Sequence, residues 1–126
     1  MVVAGLPEAR ADHAQILVDM SAKFIEIASE YNDHEGKPIQ IRIGIHSGPA
    51  VSGVIGKSKF AFDVWGDTIN TAARLEGNGE PGKIHISQRT FDLLDKNSSF
   101  DVRSQSISMK GKGVMQTILI GQAVRQ

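Results

Sequence analysis

The chain contains no cysteine, a single tryptophan and a single tyrosine, and no excess of charge: 14 basic residues stand against 14 acidic ones in 126 positions. Without cysteine there are no disulfides and no thiolate metal sites, and a reducing compartment is compatible. The charge balance provides no general field for nucleic acid or for an anionic membrane surface. No apolar run approaches the ~20 residues that a membrane span requires, and "MVVAGLPEAR" is too short and wrongly flanked for a signal peptide. Repeats and low-complexity segments are also lacking. What remains suits one domain over residues 1–126, whose 40% hydrophobic content can form a core.

A phosphate loop is lacking too, although "GVIGKSKF" suggests one. The Gly-Lys-Ser triplet needs a glycine five positions before its second glycine. That position holds Val51, and Gly53 comes two residues too late. "KFAF" then reads as strand rather than as the opening of a helix. The triplet is expected to form a turn between strands, with Lys57 and Lys59 as exposed charges.

Period and turn chemistry predict the elements. "MVVAG" reads as the end of a strand and "LPEARAD" as a loop. Leu17, Met20, Phe24, Ile27 and Tyr31 step by three and four, which predicts a helix over 12–31 with these residues on its apolar face. "NDHEGKP" closes it as a solvated turn. Ile39, Ile41, Ile43 and Ile45 alternate with Gln40, Arg42, Gly44 and His46, so "IQIRIGIHSG" reads as a strand with a structural His46. "AVSGVIG" is expected to return beside it as a hairpin. A second helix is expected from Asp67, acting as its cap, to Glu76. "KIHIS" reads as a short strand, with Ser87 capping a third helix through "QRTFDLLD". "FDVRSQSISMKGKGVMQTILIG" reads as two strands around a Gly-Lys-Gly turn. Strands with crossing helices predict a sheet with helices packed on it.

Within the second helix, Asn70 and Arg74 are four apart and share a face, at roughly 6 Å between Cβ atoms, while Ile69, Ala72 and Ala73 can turn to the core. A guanidinium beside an amide can hold an anion. Spacing alone favours the plainer alternative, a solvated face whose arginine reaches Glu76 or another acid. Trp65 reads as a packing residue, and the four histidines show no metal-ligand spacing.

"FDVWGDTINTAARLEGNGEPGKIHIS" resembles the signature of the class III nucleotidyl cyclases, the adenylate and guanylate cyclases. "IRIGIHSGPAVSGVIG" and "MKGKG" resemble the hairpins on either side of it, and the likeness runs from Met1 to about Gly121. It implies the α/β (α+β), ferredoxin-like cyclase fold, a mixed sheet with helices packed chiefly on one face, lacking its N-terminal strands, and a cytoplasmic adenylate cyclase catalytic domain that converts ATP to 3′,5′-cyclic AMP and pyrophosphate in signal transduction. Position by position, the resemblance places Arg74 on the α-phosphate, Asn70 on the ribose and Lys110 on the terminal phosphates. Lys112 competes with Lys110 for that role. Asp63, with the Val64 backbone beside it, would accept from the amine of adenine; guanine presents a carbonyl there. The family's two divalent ions, magnesium or manganese, are bound by aspartates that would lie before Met1, so no metal ligand is expected in this chain. The chain alone is expected to be inactive and to leave an open sheet edge. The implied partners are ATP and a second cyclase domain, as homodimer or pseudo-heterodimer, with no nucleic acid and no membrane contact. The alternative is a non-catalytic cyclase-like module that binds nucleotide or dimerises.

Overall fold

A computed structural model of the chain describes residues 1–55, 61–95 and 100–123; for residues 51–55, 61–65, 122 and 123 it describes the backbone. The elements in order are α1 (His13–Ala28), β1 (Ile43–Ile45), β2 (Val51–Ile55), β3 (Ala61–Trp65), α2 (Asp67–Gly77), β4 (Ile84–Ser87), α3 (Gln88–Asp92), β5 (Phe100–Met109) and β6 (Gly113–Ala123). Four strands form one sheet in the order β1-β4-β6-β5, and β2 and β3 form a second sheet. β1 lies parallel to β4, while β6 runs antiparallel to both β4 and β5. The mixed sheet with helices is the fold class expected from the sequence.

Alternation along the strands assigns each helix to a face, because successive side chains in a strand point to opposite sides. Ile45, Ile84, Ile86, Ile118 and Ile120 form one core with Val18 of α1, and Phe91 of α3 packs against it. The intervening residues face α2. A Cβ on Gly44 would overlap the backbone of Ala72 and Glu76 in α2, and His85 reaches the carbonyl of Leu75. Both faces of β4 are thus covered, which is why all four of its residues are buried. Two of the three helices, α1 and α3, therefore pack on one face of the sheet, and α2 covers the other. Leu75, Ile107 and Met109 form a smaller core on the α2 side, with Met115 against it.

Several local readings change in three dimensions. The hairpin expected between the isoleucine strand and "AVSGVIG" does not form. β2 pairs with β3, from Val51 opposite Trp65 to Ile55 opposite Ala61, and β1 pairs with β4 instead. The Gly-Lys-Ser triplet, with Lys57 and Lys59, lies outside the described residues, between two paired strands. Only Ile43–Ile45 of the alternating run is strand, since a ladder requires a neighbour as well as a pattern. Residues 1–4 take no regular structure for the same reason.

The apolar stripe assigned to α1 is displaced. The buried residues are Ala14, Val18 and Ser21, whereas Phe24 and Ile27 are each 43% exposed and Tyr31 is 63% exposed. The helix ends at Ala28 and continues only as a turn, with the Tyr31 amide donating to the Ala28 carbonyl at 3.1 Å. Leu17, Met20 and Phe24 line a cavity of about 710 Å³ with Val2, Ile41 and Ile69. In the "NDHEGKP" turn, the Asp33 carboxylate accepts from the amides of Glu35 and Lys37 at 2.8 and 3.0 Å. This is an exposed self-capped turn.

Candidate active site

Helix α2 follows β3 through Gly66 alone, whose φ of 129° favours glycine. Gly66, not Asp67, is the N-cap, and no side chain caps the first turn. Asp67 sits one residue further on, where a carboxylate favours the positive end of the helix. Its Oδ2 accepts from Lys112 Nζ in the turn between β5 and β6. Ser87 does cap α3, accepting from the Thr90 amide at 3.3 Å, although that helix stops at Asp92.

The polar face of α2 is exposed, as its spacing predicts. Asn70 and Arg74 both face solvent. The residues expected to face the core, Ile69, Ala72 and Ala73, instead line the cavity beside α1, and the buried residues of α2 are Thr68, Thr71 and Leu75. That cavity lies across the helix from Asn70 and Arg74. The Arg74 guanidinium donates to the Ser108 carbonyl at the end of β5, 3.2 Å away, and makes no ion pair among the described residues. Glu76, the acid offered to it by the solvated-face reading, is held instead by Arg42 at 3.3 Å.

The β5–β6 turn places Lys110 beside this face. Lys112 closes the turn, its amide donating to the Met109 carbonyl at 2.9 Å, with Gly111 and Gly113 at φ of 78° and 76°. Lys110 is exposed and, among the described residues, without an ion pair, while Lys112 is neutralised by Asp67. The two lysines that compete in the sequence are thereby distinguished by their partners. Asp63 and Val64 lie in β3, opposite Gly53 and Ser52; their side chains, and that of Trp65, lie outside what the structure describes. Asn70 and Arg74 thus share one exposed face of α2, Lys110 lies in the turn whose flanking residues Ser108 and Lys112 contact that helix, and the backbone of Asp63 is four residues before the helix start.

Behind the helix is a residue that the sequence did not single out. His85 is fully buried. Its Nδ1 lies 2.8 Å from the Leu75 carbonyl and its Nε2 lies 2.8 Å from Thr117 Oγ1. A carbonyl can only accept, so Nδ1 carries the proton and Nε2 is an acceptor, with the Thr117 hydroxyl at 2.8 Å and the Gln105 side-chain amide at 3.3 Å as its available donors. The bond satisfies a carbonyl in the last turn of α2, where the Gly79 amide has turned away to Glu76. The sequence signal for it was a histidine inside an apolar strand. His46 is half-buried, with Nδ1 2.7 Å from Ser87 Oγ. Burial, with nearby Arg89, holds its pKa below the ordinary imidazole value.

A metal ion finds no ready place in this arrangement. Among the described residues no three His, Asp or Glu side chains converge on a common point. No helix among them is long and apolar enough to cross a membrane.

Comparison with known proteins gives this surface its context. The family model described as adenylate and guanylate cyclase catalytic domain matches residues 1–122. An adenylate cyclase of Mycobacterium tuberculosis is 40% identical over 126 residues, covering 98% of this chain and 28% of its own length. The receptor-type guanylate cyclase gcy-28 of Caenorhabditis elegans is 42% identical over 122 residues, covering 93% of this chain and 9% of its own. Among solved structures, the guanylate cyclase domain of RhGC from Catenaria anguillulae, in complex with GTP, superposes with a TM-score of 0.83 at 36% identity. That match covers 95% of this chain and 65% of the solved one. The chain spans less than a third of the curated relatives named here, and it belongs to the class III nucleotidyl cyclase catalytic domain family.

Proposed function

We propose that this domain takes part in converting ATP to 3′,5′-cyclic AMP and pyrophosphate. The observation that carries the reading is the α2 surface: two cationic side chains, Arg74 and Lys110, face solvent without an acidic partner among the described residues, with Asn70 between the helix start and Arg74. In the reaction the ribose 3′ oxygen forms a bond to the α-phosphorus and gives up its proton. The bond from that phosphorus to the bridging oxygen breaks, and pyrophosphate leaves. Negative charge grows on the α-phosphate oxygens and on the leaving group, where fixed cations stabilise it most. Arg74 would exchange the Ser108 carbonyl for an α-phosphate oxygen. Lys110 would hold the terminal phosphates, and Asn70 would orient the ribose through its amide.

Asp63, beside the Val64 backbone, would accept from the exocyclic amine of adenine, and this is the basis for choosing ATP over GTP. The relatives include enzymes named for each nucleotide, so the choice rests on that carboxylate. The resemblance implies two divalent ions, magnesium or manganese. The described residues do not fit such a site, since no three His, Asp or Glu side chains among them converge. We place the ion ligands, and the second cyclase domain that would complete the site, outside these residues.

The test compares cyclic nucleotide production from ATP and from GTP in the full-length protein. Asp63→Cys should erode the preference for ATP by ~1–3 kcal/mol, the cost of leaving a buried donor unpaired. The same preference before and after the substitution would remove Asp63 from the assignment. Arg74→Ala should lower kcat by about 10²–10³ with little change in KM, as expected for a contact made chiefly in the transition state. Nucleotide binding without turnover in the unmodified protein would favour the non-catalytic module.

A further inference from the structure

Asp67, Asn70 and Arg74 lie at positions i, i+3 and i+7 of α2, which places them in one row along the helix. The β5–β6 hairpin touches both ends of that row. At the first end Lys112 Nζ pairs with Asp67. At the last end Arg74 donates to the Ser108 carbonyl at 3.2 Å. Lys110 lies midway between Ser108 and Lys112, in the turn that Gly111 and Gly113 shape. Two contacts therefore hold the turn along the row, and Asn70 is the member of the row between them.

From this we infer that Asp67 and Lys112 form a positioning pair, which fixes the turn so that Lys110 is presented to the same ligand as Asn70 and Arg74. The inference rests on the nucleotide reading of these three residues. The side chains of the pair are 69% and 41% exposed, and exposed ion pairs contribute little to stability. A stability role therefore explains the pair poorly. A positional role explains it better, because the turn has one further tether on α2, and that tether is the arginine that a phosphate would claim. When Arg74 leaves the Ser108 carbonyl for a ligand, the Asp67–Lys112 contact is what keeps the turn in place. The same pair neutralises Lys112, so that one cation of the turn, not two, faces the ligand.

The experiment uses steady-state kinetics of the full-length protein with ATP and, separately, GTP, alongside thermal unfolding. Asp67→Lys and Lys112→Asp should each raise KM about five- to tenfold, the scale of a lost exposed pair with added like-charge repulsion, with Tm unchanged for Lys112→Asp and slightly lowered for Asp67→Lys, which takes a carboxylate from the start of the helix. The exchanged double variant, Asp67→Lys with Lys112→Asp, should return KM to within about threefold of the original, because a restored pair cancels the single losses. Losses that simply add in the double variant overturn the positioning pair. A fall in Tm that accounts for the lost activity also overturns it, since the pair would then be structural. Arg74→Ala and Lys110→Ala in the same assay separate this failure from the other. If both turn over normally, the nucleotide reading fails and the pair has nothing to position. If both are impaired while the exchange does not rescue, the pair alone is wrong.

Discussion

Helix α1 runs for 16 residues and is seated largely by apolar burial, with Val18 in the main core and Leu17, Ala22 and Ile25 packed against it. Hydrogen bonds from its first turn, His13 to Ser47 and the Asp95 amide to Gln15, tie only that end. Helix α2 has 11 residues and is seated by particular contacts. Gly44 lets its backbone lie directly on β1, His85 satisfies the Leu75 carbonyl, and Lys112 and Ser108 hold its polar row. Apolar burial is non-directional and tolerates a rotation of the helix about its axis. Hydrogen bonds and a backbone-to-backbone approach do not tolerate one. In the helix that carries the candidate site, rotation and height are fixed along the whole length, as expected where a group must be placed within a fraction of an ångström of a reacting atom.

The contrast can be broken most severely at Gly44. A Cβ there would overlap the Ala72 carbonyl and the Glu76 amide and would lie 2.9 Å from the Glu76 Cα. These are backbone atoms that cannot swing aside. Gly44→Ala should therefore destabilise the domain by about 3 kcal/mol or more, read as a shift of the urea midpoint. A neutral result would mean that α2 is free to lift from the sheet, and the contrast between the helices would be lost.

His85→Leu is the next largest. It keeps roughly the volume of the side chain but leaves the Leu75 carbonyl without its donor and removes the acceptor shared by Thr117 and Gln105, of which the threonine hydroxyl retains the Gln105 carbonyl. The expected cost is about 2–4 kcal/mol. A replacement on the α1 side, Ile25→Val, should cost about 0.5–1.5 kcal/mol, because α1 loses only contact. Denaturant unfolding of both variants compares the two kinds of seating, and equal costs would contradict it.

The smallest effect concerns pH. His46 titrates below its ordinary value in the folded state because burial, then Arg89 and Lys112, disfavour the cation, while Asp67 opposes them. The unfolded chain binds the proton more readily. This residue's contribution to stability is therefore complete above the unfolded value near 6.5 and is lost as pH falls through the lower folded value. His46→Gln should flatten the decline of Tm between neutral and mildly acidic pH. An unchanged slope would show that the imidazole stays solvated at the end of β1.

The sequence alone determined what depends on local chemistry. The row of Asn70 and Arg74 follows from the 3.6-residue repeat. The Ser87 cap follows from a hydroxyl placed before a helix. The long β5–β6 hairpin follows from two alternating runs around glycines with positive φ. The family resemblance was legible for the same reason, because it lies in a contiguous stretch of fixed residue types. Tertiary structure decided what depends on neighbours distant in sequence. β1 and β2 do not pair, although they are adjacent in the chain, because β4 supplies the neighbour of β1 and β3 that of β2. The face that α1 buries is set by where the sheet lies, and apolar residues at several rotations satisfy a stripe pattern equally well. Asp67 was read as a cap from its position, but the lysine that takes its charge lies 45 residues later. Which of two lysines in one turn has no ion pair among the described residues is likewise invisible in the turn itself. It is fixed by which of them a carboxylate on another element can reach, and only the fold brings that carboxylate there.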